Sequence, residues 1–313
     1  MMTGTADEAL RHDCELQSMR KTIEHRLDSL LPQTEESDLV TQAMRDATLA
    51  PGKRIRPLLM LLTARDLGCE PSHPGLLDLA CAVEMIHAAS LTLDDIPCMD
   101  NAAMRRGLPT IHRKFGENVA ILAAVALLSK AFGVVSTAEG LTDAGRAIAV
   151  GELSAAVGTQ GLVKGQYQDL REGCEPRSTE AIHTTNDLKT GVLFSASLQM
   201  AAIAANASGA ARARLRSFAL DFGQAFQLLD DLIDGLATTG KDINKDAGKS
   251  TLVAALGNER VHQRLQEHLL RADEHLAVVC SHGGATRQFM HSWFNQQLAV
   301  HPAFMTAPPL CQR

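Results

Sequence analysis

The stretch Leu77–Asp95, LDLACAVEMIHAASLTLDD, decides the fold. It holds neither proline nor glycine, and its polar members are Asp78, Glu84, His87, Ser90, Thr92, Asp94 and Asp95. Glu84, His87, Leu91 and Asp94 recur at helical spacing, so the spacing predicts a helix with one polar stripe and otherwise apolar faces. Ile96-Pro97-Cys98-Met99-Asp100 ends that helix and gathers Asp94, Asp95 and Asp100 at its C-terminal end. The helix dipole is negative there, so acids at that end require positive charge close by.

A second stretch has the same character. Phe222–Leu236 reads FGQAFQLLDDLIDGL, leaving Gln224, Gln227, Asp230, Asp231 and Asp234 as its polar stripe. Ionised carboxylates inside a largely buried helix cost several kcal/mol each unless counter-charge is present. A set of oxygen donors without His or Cys partners points to a hard divalent cation such as Mg²⁺.

Working outward, no proline lies between Pro109 and Pro176, or between Pro176 and Pro302. Long proline-free stretches rich in Ala and Leu read as long helices. Leu59, Leu62 and Leu67 fit one helix face, and Ala120–Lys130 reads as a helix buried nearly all round. No strand alternation with hairpin punctuation is evident, and aromatics are only 4%. The fold class is all-α: one bundle of long helices over residues 1–313, with loose ends at 1–15 and 302–313. Breaks fall at Leu31-Pro32, Ala50-Pro51-Gly52, Glu70–Gly75, Asp100–Pro109, Gly140–Gly145, Gly173–Arg177 and Thr238–Lys249.

The net charge of −6 argues against non-specific nucleic-acid binding. The seven cysteines form no CxxC pair and read as free thiols in a reducing cytoplasm. The longest apolar run, Val119–Leu128, is half a membrane span, and the polar N-terminus is no signal peptide. Gly248-Lys249-Ser250 lacks the first glycine of a P-loop, and Asp242-Ile-Asn244-Lys-Asp246 lacks both the glycine and the final acid of a calcium loop.

Basic residues bracket the acids. Gly52-Lys53-Arg54-Ile55-Arg56-Pro57 opens a helix whose N-terminus favours an anion. Arg105-Arg106-Gly107 follows the first acid cluster, Lys189-Thr190-Gly191 sits in a later helix, and Lys241, Lys245 and Lys249 follow the second cluster. Together they describe a site for Mg²⁺ and phosphorylated substrates.

At these residues the chain resembles the trans-prenyltransferases, the isoprenyl diphosphate synthases. The resemblance runs from about Pro51 to Thr251, through GKRIRP at 52–57, EMIHAASLTLDDIPCMDN at 84–101, RRGLPTIH at 105–112, GLVKGQYQDL at 161–170, KTG at 189–191, FGQAFQLLDDLID at 222–234 and GKDINKDAGKST at 240–251. LTARDLGC at 62–69 and AILAAVALLSKAFGV at 120–134 are similar to the bacterial branch that makes geranylgeranyl diphosphate in carotenoid pathways. The resemblance implies a helical bundle around a deep cleft, a homodimer, and condensation of isopentenyl diphosphate with dimethylallyl, geranyl or farnesyl diphosphate. It implies that Asp94, Asp95, Asp100, Asp230, Asp231 and Asp234 hold three Mg²⁺ on the allylic diphosphate, which Arg105, Lys189 and Lys241 also contact. Lys53, Arg56, His87 and Arg106 would bind isopentenyl diphosphate. Thr190 and Gln227 would face the carbocation, and Gln166 and Asp169 would line the cleft. These charges bring the closed site near neutrality. Ala88, Ala89 and Ser90 are small where short-chain members carry an aromatic, which favours the twenty-carbon product, with Ala89 lining the tunnel for the chain.

Three other readings compete. A farnesyl diphosphate synthase would stop at fifteen carbons. A terpene cyclase would lack the GKRIRP and RRG sites. A silent regulatory subunit would have eroded acid motifs, and both are intact here.

Overall fold

The computed structural model describes residues 3–33, 35, 37–70, 73–172, 177–234, 252–280 and 282–299, with the backbone alone for 3–10, 172 and 234. Its helices are α1 (Thr3–Leu30), α2 (Leu39–Leu49), α3 (Ile55–Asp66), α4 (Leu76–Asp94), α5 (Ile111–Phe115), α6 (Glu117–Ser136), α7 (Asp143–Val157), α8 (Leu162–Glu172), α9 (Thr179–Asn186), α10 (Val192–Ala204), α11 (Gly209–Asp234), α12 (Leu252–Leu256), α13 (Asn258–Val279) and α14 (Ala285–Ala299). A π turn, Asp187–Gly191, joins α9 to α10. The all-α expectation holds, with one small exception inside the Asp100–Pro109 break. There β1 (Met104–Arg105) and β2 (Leu108–Pro109) pair antiparallel.

One hydrophobic core takes side chains from α1 through α14. Helix α4 lies against α1, α2, α3, α6 and α10, which is why its apolar residues surround it. Helix α10 is likewise enclosed, touching α3, α4, α7 and α11, while α13 covers α11. These contacts bring together α3, α4 and α11, which carry three of the motifs, and α10, which follows the Lys189-Thr190-Gly191 turn.

Helix α1 starts at Thr3, inside the stretch 1–15 that the sequence predicts as a loose end, and beyond that stretch Leu16, Ile23 and Leu27 follow helical spacing and are buried in the core. Arg26 adds a fork of two hydrogen bonds to Asp78, at 2.6 and 3.0 Å, which accounts for one acid of the α4 polar stripe. The predicted loose end at 302–313 lies outside the described residues.

Glu84, a second member of that stripe, meets Arg54. The Arg54 guanidinium is buried and donates to Glu84 Oε1 at 2.8 Å and to the Ala50 carbonyl at 2.8 Å. Arg54 also holds a left-handed backbone, φ +50°, just ahead of α3. A strained non-glycine residue with a buried charge persists only where its surroundings over-determine it. The pair therefore fixes where α3 begins relative to α4.

Helix α14 is fastened from a distance. The buried Asp66 carboxylate, at the end of α3, accepts from the backbone N–H groups of Ala285 at 3.1 Å and Thr286 at 2.7 Å. It satisfies two orphan donors of the α14 N-terminus and so seats that helix on α3.

Helix α6 departs from its predicted burial all round. Ile121, Leu122 and Val125 are exposed, Leu122 by 54% and Val125 by 57%. Both α4 and α6 are long and apolar enough to cross a membrane, but two-thirds of α4 is buried in the bundle and less than half of α6 is. Among the described residues, nothing covers this apolar outer face of α6.

Glu84→Ala should strand the Arg54 charge and destabilise the protein by about 3–5 kcal/mol, whereas the double change Arg54→Met with Glu84→Leu should cost far less. Urea denaturation of the two variants checks this, and equal losses would contradict the structural role of the pair.

Candidate active site

The first acid cluster is shaped by the loop that ends α4. The Asp100 N–H donates to the Asp94 carbonyl at 2.9 Å, and the Ala102 N–H to the Asp95 carbonyl at 3.0 Å. Four residues between the acids thus loop out and bring Asp100 back beside Asp94. The hairpin follows, turning at Arg106-Gly107 with φ of +53° and +78°. Two successive positive φ values make a type I′ turn, the kind that matches strand twist in a two-residue hairpin.

The hairpin delivers both arginines. Arg105 grips Asp95 through Nε, at 3.0 and 2.9 Å from its two oxygens, and through Nη2 at 2.8 Å. Arg106 donates to the Pro51 carbonyl at 3.0 Å, beside the Lys53–Arg56 segment. A Cβ at Gly52 would lie 2.5 Å from the Arg106 guanidinium, so the glycine leaves room for it.

His87 sits amid arginines on α4. Burial lowers its pKa well below the usual range, and Arg56, Arg106, Arg105 and Arg54 push the same way, so it is neutral. Arg56 is held in apolar surroundings too, its guanidinium 4.4 Å from the Phe194 ring centroid. Burial pulls its pKa down to about 10, Arg106 adds to that, and Glu84 opposes it. Its Nε has no partner among the described residues. Arginines crowded into a desolvated space await an anion.

The π turn carries Lys189 and Thr190 between the two acid clusters. Lys189 donates to Asp169 on α8 at 2.7 Å, and the Thr190 hydroxyl donates to the Gln227 side-chain Oε1 at 3.2 Å. Gln227 in turn donates to Asp231 at 2.9 Å. The turn is clamped by two glycines. A Cβ at Gly165 would lie 2.6 Å from the Lys189 backbone nitrogen, and one at Gly223 2.8 Å from the Gly191 Cα. Single π turns of this kind concentrate at functional sites.

Gln224 departs from the cleft-facing stripe that its spacing predicts. Its amide donates to the His183 carbonyl at 2.9 Å and to Asp187 at 2.6 Å, so it braces the π turn instead. The amide of Gln166 is buried with neither atom partnered among the described residues. Asp230 and Asp231 are half-buried at the end of α11. Lys241, Lys245 and Lys249 lie outside the described residues, as does the side chain of Asp234. Ala88 and Ala89 are buried in the core, Ala89 without exposed surface, and Ser90 is half-buried, its hydroxyl donating to the His87 carbonyl at 2.9 Å.

Burial pushes the Asp94 carboxyl up to about 6. Asp100 and Asp95 add to the rise, and Lys189 and Arg105 oppose it. The donors are all oxygen, as a hard divalent cation requires, and Asp94 carries charge that its neighbours do not offset. The residues therefore fit Mg²⁺. Among the described residues, however, no three acidic, His or Cys side chains converge to hold an ion. That suits an ion bound by one or two carboxylates together with substrate phosphate oxygens.

The sequence over residues 37–280 matches the polyprenyl synthetase family. The chain is 64% identical over 278 residues to geranylgeranyl diphosphate synthase of Pantoea ananas, covering 89% of this chain and 92% of that one. It is 60% identical over 285 residues to geranylgeranyl diphosphate synthase of Pseudescherichia vulneris, covering 91% and 93%. Among solved structures it resembles an FPP/GFPP synthase from Zymomonas mobilis, with a TM-score of 0.81 and 32% identity over 90% of this chain and 98% of that one. A geranyltransferase from Helicobacter pylori, complexed with magnesium and isoprenyl diphosphate, gives a TM-score of 0.80 and 28% identity, covering 90% and 96%.

An acid whose pKa is raised by folding costs stability once it ionises. The cost is absent below the unfolded value near 4, grows as pH rises, and is complete above about 6. Asp94→Asn should therefore raise the thermal midpoint of the metal-free protein at pH 8, with the gain fading toward pH 4. A lowered midpoint at pH 8 would show that the Asp94 charge is already compensated.

Proposed function

The chain belongs to the polyprenyl synthetase family, and from that premise we propose that it joins isopentenyl diphosphate to allylic diphosphates, giving geranylgeranyl diphosphate as its product. One observation carries the reading. The π turn links the two acid clusters, with Lys189 acting on Asp94 and Thr190 bonded to Gln227 next to Asp230 and Asp231, while a separate group of arginines surrounds a neutral His87. The first arrangement suits a diphosphate that arrives with cations, and the second suits a diphosphate without them.

Asp94, Asp95, Asp100, Asp230, Asp231 and Asp234 would hold Mg²⁺, which would supply Lewis-acid stabilisation of the departing diphosphate. Three ions match the charge of that donor set. Arg105 orients Asp95 and, with Lys189 and Lys241, adds positive charge where the leaving group develops its own. Lys53, Arg56 and Arg106 bind isopentenyl diphosphate, and His87 contributes a neutral hydrogen-bonding ring. Thr190 and Gln227 turn oxygens toward the carbocation. The apolar faces of α4 and α10 keep water from it. No side chain is assigned as general base, and the released diphosphate takes the proton.

Small side chains at Ala88, Ala89 and Ser90 support the twenty-carbon product over fifteen carbons, although Ala89, with no exposed surface, lines no open tunnel in this structure. The same reading places the enzyme in carotenoid synthesis and in the cytoplasm, where its thiols stay reduced. Incubation with Mg²⁺, isopentenyl diphosphate and each allylic primer, followed by chain-length analysis, should give mainly the twenty-carbon diphosphate. Asp94→Ala or excess EDTA should lower turnover by orders of magnitude. Full activity in EDTA, or a fifteen-carbon end product, would overturn the respective part of the reading.

A homodimer across α6 and α7 is part of the proposal. Ile121, Leu122, Val125 and Gly133 of α6 and Ile148 and Gly151 of α7 form an exposed apolar face. Among the described residues, nothing lies within 4 Å of where a Cβ would stand at Gly133 or Gly151. A mid-helix glycine costs roughly 0.5–1 kcal/mol relative to alanine. Without a crowding neighbour in the monomer, that cost is explained by a partner helix packing closely there. Val125→Asp should convert a dimer to monomers in size-exclusion chromatography with light scattering. A monomeric wild type would contradict the proposal.

A further inference from the structure

Three aromatic rings from three helices connect Lys53 and Arg56, two of the cations assigned to isopentenyl diphosphate. The Lys53 ammonium lies 5.2 Å from the ring centroid of Trp293 on α14. Trp293 stacks on Phe226 of α11, at 5.3 Å between centroids and an interplanar angle of 10°. Phe226 lies 5.5 Å from Phe194 of α10, and the Arg56 guanidinium is 4.4 Å from the Phe194 centroid. Each end of the ring row therefore faces a cation. The negative face of an aromatic quadrupole attracts a cation within about 6 Å.

The Trp293 end has two further features. Gln297, one helical turn along α14, accepts from the Lys53 ammonium at 2.5 Å. Trp293 itself is 94% buried, yet its indole N–H has no partner among the described residues. A buried indole N–H normally finds an acceptor. Packing alone would be met by phenylalanine, the residue used elsewhere along the row. Trp293 is also the single tryptophan of the chain.

We propose that Trp293 is a positioning residue for Lys53. Its ring face, with Gln297, holds the flexible ammonium beside the start of α3, ready for the diphosphate of isopentenyl diphosphate. Ordering a long side chain in advance removes part of the entropy loss that binding would otherwise incur. Asp66 extends this support by anchoring α14 to the far end of α3. When the diphosphate arrives, the ammonium shifts its contact from the indole face to phosphate oxygens. The inference rests on the assignment of isopentenyl diphosphate to Lys53 and Arg56.

The test uses the full chain with Mg²⁺. Trp293→Leu should raise the KM for isopentenyl diphosphate about three- to tenfold and leave the allylic KM and kcat within about twofold. Trp293→Phe keeps an aromatic face and should restore most of the loss. Addition of isopentenyl diphosphate should change the fluorescence of the wild-type tryptophan, and Lys53→Ala should abolish that change. An unchanged spectrum at saturating isopentenyl diphosphate overturns the inference even if Trp293→Leu fails to fold. A well-folded Trp293→Leu enzyme with an unchanged KM, or with both KM values raised equally, overturns it as well. If Lys53→Ala raises the KM while Trp293→Leu does not, only the positioning role falls. If Lys53→Ala leaves the KM unchanged, the substrate assignment falls with it.

Discussion

Carboxylates at the C-terminal ends of two enclosed helices set the terms for the rest of the molecule. Asp94, Asp95 and Asp100 close α4, and Asp230 and Asp231 sit at the end of α11, where each helix dipole adds to their repulsion. Burial raises the Asp94 carboxyl to about 6, so the folded chain holds this charge at a cost to itself. Nearby cations answer part of it: Arg105 grips Asp95, and Lys189 acts on Asp94 from the π turn. What remains is an attraction for ions that bring further oxygen ligands with them. The stability given up at the acids is what gives the cleft its affinity for a metal-bearing diphosphate.

That constraint explains why so much of the surrounding structure is rigid. The π turn is clamped between Gly165 and Gly223 and braced by Gln224. The start of α3 is pinned by the Arg54–Glu84 pair, and α14 by Asp66. Cations meant for an anionic substrate gain most when they cannot wander before it binds. Lys53 and Arg56 each rest against an aromatic face, which restricts where their charges can go before the diphosphate binds.

Much of this was legible in the sequence, and for physical reasons. A helix enclosed on all sides has to be apolar nearly all round, so the acids of Leu77–Asp95 and Phe222–Leu236 stood out against it. Proline-free stretches gave the helical class. What was not legible depends on neighbours distant in sequence. Glu84 and Gln224 share a stripe with the acids by spacing, yet one pairs with Arg54 and the other braces the π turn. The exposed face of α6 reads as core because Ile121, Leu122 and Val125 are as apolar as the residues on its buried face. Trp293 gave no signal, since beside Phe289 and Phe294 it reads as one more core aromatic until α14 is placed against α3 and α11. That α1 begins as early as Thr3 was not legible, because Asp7, Glu8, Arg11, His12 and Asp13 leave few apolar residues ahead of Leu16.

The central claim is that the acid clusters take up Mg²⁺ tightly only together with a diphosphate. Equilibrium Mg²⁺ binding, measured with and without a non-ionising thio analogue of an allylic diphosphate, tests it most directly. The account predicts weak binding to the protein alone and tight binding of about three ions once the analogue is present. Tight stoichiometric Mg²⁺ binding to the protein without any diphosphate would contradict it.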